Sequence, residues 1–138
     1  MRPSWNDYFM QIAEVVATRS TCDRLRTGTV LVRDKQILST GYNGSLSGLA
    51  HCDDVGHTLV DNHCVATVHA EANAVAQAAH HGINLLGATC YTVGYPCLAC
   101  FKLLVSSGVN AIYYKAEYNM DPLVKTLAEQ LGIVLEKV

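Results

Sequence analysis

The stretch Val68-His69-Ala70-Glu71-Ala72-Asn73 decides how this chain folds around its chemistry. It places an imidazole and a carboxylate at the start of an alanine-rich run that continues to Ala79 and has high helix propensity. We therefore predict a helix that begins directly after His69. A second stretch, Pro96-Cys97-Leu98-Ala99-Cys100, carries two thiols spaced by one helical turn, so a second helix is predicted to begin there.

Together these stretches supply the donors of a catalytic metal site. One imidazole and two thiols, from His69, Cys97 and Cys100, leave the fourth tetrahedral position of a zinc ion open for water. Zinc lowers the pKa of such a water to about 7. Pro96 suits the first helical position, and a helix N-terminus favours the thiolate form that binds metal. We assign Glu71, close to the metal, as proton shuttle and not as ligand.

Composition restricts the class of protein. The chain has 138 residues, of which 50% are hydrophobic, and a formal net charge of −2. This predicts one globular domain spanning residues 1–138 and argues against a large nucleic-acid footprint. No apolar run approaches a membrane span, and the first residues have no apolar signal core, so we expect a cytoplasmic protein without membrane contact. In that setting six Cys and six His indicate metal binding more than disulfides.

Hydrophobic periodicity and turn residues predict the element order helix, strand, strand, helix, strand, helix, strand, helix, strand. The predicted helices cover about 4–18, 70–79, 97–107 and 121–131, and the predicted strands 29–33, 36–40, 88–93, 110–114 and 133–135. This order predicts an α/β fold, a three-layer α/β/α sandwich with a five-stranded mixed sheet.

His69-x-Glu71 followed by Pro96-Cys97-x-x-Cys100 resembles the signature of the zinc-dependent cytidine and deoxycytidylate deaminase superfamily. The resemblance covers nearly the whole chain and implies the cytidine deaminase-like fold. It implies hydrolytic deamination of dCMP to dUMP and ammonia, which supplies dUMP for thymidylate synthesis. It further implies that Glu71 protonates N3 and then the departing amine, and that the backbone N–H of Ala70 donates to the pyrimidine carbonyl.

Other residues resemble the deoxycytidylate deaminase subgroup. The segment 41–45, Gly-Tyr-Asn-Gly-Ser, is similar to one that follows the second strand there, which implies that Asn43 contacts the sugar and that Ser45 lies near the phosphate. A simple Asn-Gly turn is the alternative. Lys115 and Tyr118 follow a predicted strand, at the sheet edge where ligands bind in α/β folds. Tyr118 also resembles a substrate tyrosine of phage relatives, and an ordinary strand-end cluster is the alternative.

The insertion at 46–67 is rich in His and Cys. Some deoxycytidylate deaminases carry a second, structural zinc, held in part by Cys at positions that resemble Cys22 and Cys52. The candidate ligands for such a site are Cys22, Cys52, His57, His63 and Cys64. A loop with free thiols and solvated His is the alternative.

The resemblance also implies regulation and assembly, since close relatives are homohexamers that dCTP activates and dTTP inhibits. Mg²⁺ could accompany such a triphosphate. Arginines beside a glycine-rich turn suit phosphate, so we place a hypothetical effector site at Arg24, Arg26, Tyr42, Asn43 and Gly44. A solvated arginine loop is an equal alternative.

Three other functions fit the same motifs. A free cytidine or deoxycytidine deaminase shares the chemistry but does not need Lys115, Tyr118 or the arginines. A tRNA adenosine deaminase would have a basic surface. A non-enzymatic zinc-binding interaction domain would not depend on Glu71.

Overall fold

The computed structural model describes residues 1–21, 25–46, 48–50, 56, 59–60, 63–64 and 67–138. In these residues the helices are α1 (Trp5–Ala17), α2 (Ala70–His80), α3 (Leu98–Ser106) and α4 (Pro122–Leu131). The strands are β1 (Gly28–Arg33), β2 (Gln36–Tyr42), β3 (Gly44–Ser45), β4 (Leu59–Val60), β5 (His63–Cys64), β6 (Thr67–Val68), β7 (Thr89–Gly94), β8 (Ala111–Ala116) and β9 (Val134–Lys137).

The main sheet has five strands in the order β2-β1-β7-β8-β9. Strand β1 runs antiparallel to both β2 and β7, whereas β7, β8 and β9 are mutually parallel. The predicted α/β fold with a five-stranded mixed sheet is therefore confirmed. The parallel pairs bring the C-terminal ends of β7 and β8 to the same edge of the sheet, which is where α/β folds place ligands.

The capping residue of α1 and the turn between β1 and β2 lie where the sequence predicts them. The Ser4 hydroxyl caps α1 by accepting the backbone N–H of Asp7 at 3.1 Å. Asp34 and Lys35 connect β1 to β2 with positive φ angles of 52° and 61°. Positive φ at both central residues is what the two-residue turn of a tight hairpin requires.

The core has one cluster on each face of the sheet. Alternation along β1 directs Val30 and Val32 to the α1 face and Leu31 to the opposite face. The buried residues of the α1 face are Phe9, Met10, Ala13, Val30, Val32 and Tyr91. The opposite cluster is larger and includes Leu31, Ala74, Phe101, Leu104, Ile112 and Val124 from the sheet and from α2, α3 and α4. These are the three predicted layers.

Helix α2 lies directly on β2 at Gly41. A Cβ atom built on Gly41 would meet the carbonyl oxygen of Ala70 and the amide nitrogen of Ala74, each at 2.4 Å. Only glycine allows this approach, because both opposing atoms belong to the helix backbone. The contact fixes the height of the first turn of α2 above the sheet. None of the helices in the described residues is long and apolar enough to cross a membrane.

Candidate active site

The start of α2 presents His69. Strand β6 pairs antiparallel with β3, with Gly44 opposite Val68 and Ser45 opposite Thr67. The chain therefore returns from its insertion beside the end of β2, directly before His69. His69 is the N-cap of α2 with extended backbone angles (φ −64°, ψ 152°), and its side chain makes no capping hydrogen bond. The imidazole instead faces the thiols of α3.

Asn73 ties this helix start to its surroundings. Its Nδ2 donates to the carbonyl oxygen of Tyr42 at 2.8 Å and to that of Val68 at 3.4 Å. Its backbone N–H donates to the carbonyl oxygen of His69 at 2.9 Å. One side chain thus links α2 to the end of β2 and to the segment that carries the imidazole.

The start of α3 presents the two thiols, with one correction to the sequence analysis. The sequence predicts Pro96 at the first helical position, and this is wrong: α3 begins at Leu98 and Cys97 is its N-cap. The Cys97 sulfur accepts the backbone N–H of Cys100 at 3.4 Å, so the thiol takes the capping role that Ser or Asp has elsewhere. Pro96 precedes the cap and is fully buried.

His69, Cys97 and Cys100 form one group, which we call the donor cluster. The His69 Nδ1 atom lies 3.3 Å from the Cys100 sulfur and 3.6 Å from the Cys97 sulfur. The three ligand atoms all lie within 4.8 Å of one another. Cys100 is buried, Cys97 is half-buried and His69 is exposed, so the cluster opens to solvent on the imidazole side.

Electrostatics favour a thiolate in this cluster. Hydrogen bonds from Cys100 and His69 lower the pKa of the Cys97 thiol to about 4. The same contacts with Cys97 raise the pKa of His69 and that of Cys100. Cys97, at the N-terminus of α3, is therefore the first thiol of the pair to ionise.

The donor set fits a catalytic zinc ion. One imidazole nitrogen and two sulfurs are ligands that zinc prefers, and three protein ligands are the number that catalytic sites use. Among the described residues, these three side chains lie close enough together to share one metal ion, and the Glu71 carboxylate is not among them. His69, Cys97 and Cys100 would therefore hold the metal, with a position left for solvent or substrate.

Glu71 lies beneath the donor cluster and is only 5% exposed. Its Oε1 accepts the hydroxyl of Thr92 at 2.8 Å. Burial raises the pKa of this carboxyl, while hydrogen bonds with Cys100 and Thr92 act in the opposite direction. A buried acid with a raised pKa, beside a cluster of metal-binding groups, has the properties of a group that takes up and releases protons.

The segment predicted to contact the sugar and phosphate lies beside His69. Asn43 is 5% exposed, and its side chain is directed at the chain before β1. Its Oδ1 accepts the N–H of Thr27 at 2.9 Å, and its Nδ2 donates to the carbonyl of Leu25. The Ser45 hydroxyl is buried and has no hydrogen-bond partner among the described residues.

Lys115 and Tyr118 are not brought into the donor cluster. Lys115 lies on β8, and its ammonium group pairs with the carboxylate of Glu14 on α1. Since α2 and α3 cover the opposite face of the sheet, Lys115 points away from the cluster. Tyr118 is 45% exposed and follows β8. The N–H of Tyr95 bonds to the carbonyl of Ala116 at 2.9 Å, so Tyr118 shares a sheet edge with the thiol segment.

The remaining predicted residues are only partly described. Cys22, Arg24, Cys52 and His57 lie outside the described residues, and for His63 and Cys64 only the backbone of β5 is described. The second zinc site therefore stays a prediction. In the predicted effector site, an Arg26 guanidinium nitrogen donates to the carbonyl of Ser20 at 2.7 Å.

A cleft of about 540 Å³ lies along β2 and α2. Tyr42, Gly44 and Ser45 line it on one side, and Asn73 and Gln77 on the other. Two residues of the predicted effector site thus line an open surface next to the helix start.

Thr92, Asn73 and Gly41 also hold the site in place, although the sequence predicts no role for them. The available signals were a hydroxyl inside an otherwise buried strand, an amide one turn after His69, and a glycine at the end of a strand. None of these identifies its partner, because each contact depends on how distant segments pair.

The chain matches a family model described as the cytidine and deoxycytidylate deaminase zinc-binding region over residues 3–116. It is 43% identical over 137 residues to ComE operon protein 2 of Bacillus subtilis (strain 168), covering 99% of this chain and 72% of that protein. It is 38% identical over 128 residues to the deoxycytidylate deaminase of Mycobacterium phage D29, covering 84% and 98%.

Among solved structures, the dCMP deaminase from the cyanophage S-TIM5 in complex with dCMP and dUMP matches with a TM-score of 0.85. The two chains are 30% identical, and the match covers 100% of this chain and 99% of that one. This chain therefore belongs to the cytidine and deoxycytidylate deaminase family. The predicted class of enzyme, a zinc-dependent nucleotide deaminase, is confirmed.

Proposed function

We propose that this protein deaminates dCMP hydrolytically to dUMP and ammonia. The observation that carries the proposal is the buried Glu71 carboxyl, hydrogen-bonded to Thr92 beside an open cluster of one imidazole and two thiols. The choice of substrate is supported by the cyanophage relative, which was solved with dCMP and dUMP. Formation of dUMP would supply the substrate of thymidylate synthesis.

In this proposal His69, Cys97 and Cys100 hold zinc, which activates water at neutral pH. Glu71 would accept a proton from the attacking water and deliver it to N3 of the cytosine ring. It would then accept the proton of the hydroxyl added at C4 and deliver it to the amine, so that ammonia leaves as the C4 carbonyl forms. Burial favours the neutral acid of Glu71, which suits a group that must hold the proton between these steps.

The backbone of α2 binds the base in this proposal. Ala70 is the first residue of the helix, and its N–H belongs to the first turn, where no intrahelical acceptor exists. The His69 side chain does not cap this turn. The Ala70 N–H is thus suited to donate to the pyrimidine carbonyl and to set the register of the ring relative to Glu71.

Asn43, Ser45 and Tyr118 would contact the sugar and phosphate. The Ser45 hydroxyl is buried without a partner in the described part of the chain, so a phosphate oxygen would complete its hydrogen bonding. The Asn43 amide keeps one further N–H and one further lone pair beyond its bonds to Leu25 and Thr27. Lys115 is left out of this set because it pairs with Glu14.

The test is formation of dUMP and ammonia from dCMP by zinc-loaded protein, with zinc-depleted protein and Glu71→Ala as controls. We expect turnover only in the zinc-loaded wild type. Zinc-loaded wild type that binds the metal but releases no ammonia from dCMP would overturn the proposal, and would favour a binding module in which Glu71 is dispensable.

Regulation and assembly extend the proposal. By resemblance we infer a single domain over residues 1–138, a cytoplasmic homohexamer, activation by dCTP with Mg²⁺, and inhibition by dTTP. The effector would bind near Arg24, Arg26 and the segment 42–44. The cleft that Tyr42 and Gly44 line gives this inference a surface next to the start of α2.

The effector inference is tested by measuring dCMP turnover with dCTP or dTTP added, in the wild type and in Arg26→Ala. We expect activation by dCTP, inhibition by dTTP, and loss of both responses in the variant. Unchanged dTTP inhibition in Arg26→Ala would contradict the proposed location.

A further inference from the structure

A pair of buried threonines connects Glu71 to the sheet. The Thr92 hydroxyl donates to Glu71 Oε1 at 2.8 Å, and the Thr29 hydroxyl donates to the Thr92 oxygen at 2.9 Å. Both threonines have no exposed surface. Glu71 therefore receives its strand-side hydrogen bond from a group that water does not reach.

The direction of this chain of hydrogen bonds is fixed by chemistry. In the ionised state, in which Glu71 is ready to take a proton from water, the carboxylate can only accept, so the Thr92 proton points at Glu71. The Thr92 oxygen then offers its lone pairs to Thr29, which lies directly opposite on the neighbouring strand in the register of β1 and β7. The sheet ladder thus sets the distance between the two hydroxyls.

The carboxyl is held from the strand side. Thr92 on β7 donates to one of its oxygens at 2.8 Å, and burial of the side chain to 5% exposure restricts its other positions. A glutamate has three rotatable bonds, and holding such a side chain in one orientation is what brings its oxygen within reach of a reacting proton.

We propose that Thr92, supported by Thr29, is a positioning residue that holds the Glu71 carboxyl in the orientation needed for proton transfer. This inference rests on the proposed deaminase function. It assigns to β7 a direct part in the reaction geometry, beyond delivery of the thiols to the metal.

The opposing interpretation is structural: the two hydroxyls satisfy one another in the core and stabilise the fold only. The two interpretations predict different effects of substitution. Removing both hydroxyls of a buried hydrogen bond costs little stability, whereas removing one of them leaves the other hydroxyl unsatisfied. Thr92→Val removes one hydroxyl, and the double variant Thr29→Val/Thr92→Val removes both. Thr92→Ser keeps the hydroxyl.

The experiment measures kcat and KM for dCMP, the melting temperature and the zinc content of these variants. We expect kcat to fall about tenfold in Thr92→Val with KM and zinc content unchanged. In the double variant the melting temperature should rise above that of Thr92→Val, because no unpaired Thr29 hydroxyl remains, while kcat stays low. Thr92→Ser should restore kcat. Thr89→Val, on the opposite face of the same strand, is the matched control and should leave kcat unchanged.

A kcat near the wild-type value in Thr92→Val, or a kcat that recovers together with the melting temperature in the double variant, would overturn the proposal.

Crystal structures of zinc-loaded wild type and Thr92→Val test it without a substrate. The carboxyl of Glu71 should leave its wild-type orientation in the variant, and an unchanged orientation would contradict positioning. Wild type that releases no ammonia from dCMP would refute the deaminase function, while these crystal structures still decide the role of Thr92.

Discussion

The donor cluster and the residues predicted for the sugar and phosphate are built in different ways. His69, Cys97 and Cys100 stand at the starts of two helices that pack on one face of the sheet. Ser45 belongs to a two-residue strand, and Tyr118 lies exposed in a connection. The groups that we propose for the reaction therefore rest on the packed core, whereas Ser45 and Tyr118, which we propose for the phosphate, lie at its rim.

Because of this difference, we expect substitutions on the core and substitutions at the rim to change different kinetic constants. Groups on rigid elements keep the geometry that bond making and breaking requires. Groups on connections contribute binding without constraining the reacting atoms. Substitutions in the donor cluster and around Glu71 should mainly lower kcat, and substitutions at the rim should mainly raise KM.

The largest effect is expected from Cys100→Ser, which removes the buried ligand of the donor cluster. We expect about one zinc per chain in the wild type, almost none in the variant after dialysis against a chelator, and no ammonia release. Cys90→Ala is the matched control, because Cys90 is buried in the core and is not part of the cluster. Zinc retained at full occupancy in Cys100→Ser would show that the ligand assignment is wrong.

A smaller but still large effect is expected from Glu71→Gln. The amide keeps the size of the side chain and can still accept from Thr92, but it cannot exchange the proton. We expect kcat to fall about 10³-fold with zinc content unchanged. The measurement is single-turnover dCMP deamination, and a fall of less than about tenfold would assign proton transfer to another group.

Gly41→Ala tests whether close packing of α2 on β2 sets the site. The new Cβ would meet two backbone atoms of α2 at 2.4 Å, so we expect the free energy of unfolding to fall by about 1–3 kcal/mol, measured by urea titration. We also expect a lower kcat, since the first turn carries Glu71. Gly94→Ala is the control, because its Cβ would meet only the Thr27 hydroxyl at 3.7 Å. Equal stability of both variants would refute this account.

The smallest effect is expected from Lys115→Ala. Its ammonium group pairs with Glu14 on the other face of the sheet and is half-exposed, so KM for dCMP should stay within about twofold and stability within about 0.5 kcal/mol. Tyr118→Phe gives the comparison, because it removes the hydroxyl that we propose binds the phosphate and should therefore raise KM. A large rise in KM for Lys115→Ala alone would restore the role predicted from its position after the strand.

The donor cluster could be predicted from sequence although His69 lies 28 residues from Cys97 and 31 from Cys100. The two thiols are one helical turn apart, which is a local feature. The pairing with His69 was indicated by the donor types and by the two-motif signature, and not by any local geometry. The exact start of α3 could not be predicted, because a sulfur that accepts the N–H of Cys100 replaced the expected proline-first turn.

The supports of the site could not be predicted for a different reason. The bond between Thr29 and Thr92 depends on the register of β1 and β7, which are 63 residues apart at this point. The placement of Lys115 depends on which face of the sheet α1 covers. Such facts arise from long-range pairing, and a single sequence carries no local signal for them.

The central claim is that residues at the rim of this site recognise the nucleotide phosphate while residues on the core perform the deamination. The ratio of kcat/KM for dCMP to kcat/KM for deoxycytidine tests it most directly. Zinc-loaded protein should be assayed for ammonia release from dCMP and from deoxycytidine, and kcat/KM compared. The account predicts a preference for dCMP of at least about 100-fold, from charge-assisted bonds to the phosphate. Equal kcat/KM for the two substrates would contradict it and would make this protein a nucleoside deaminase.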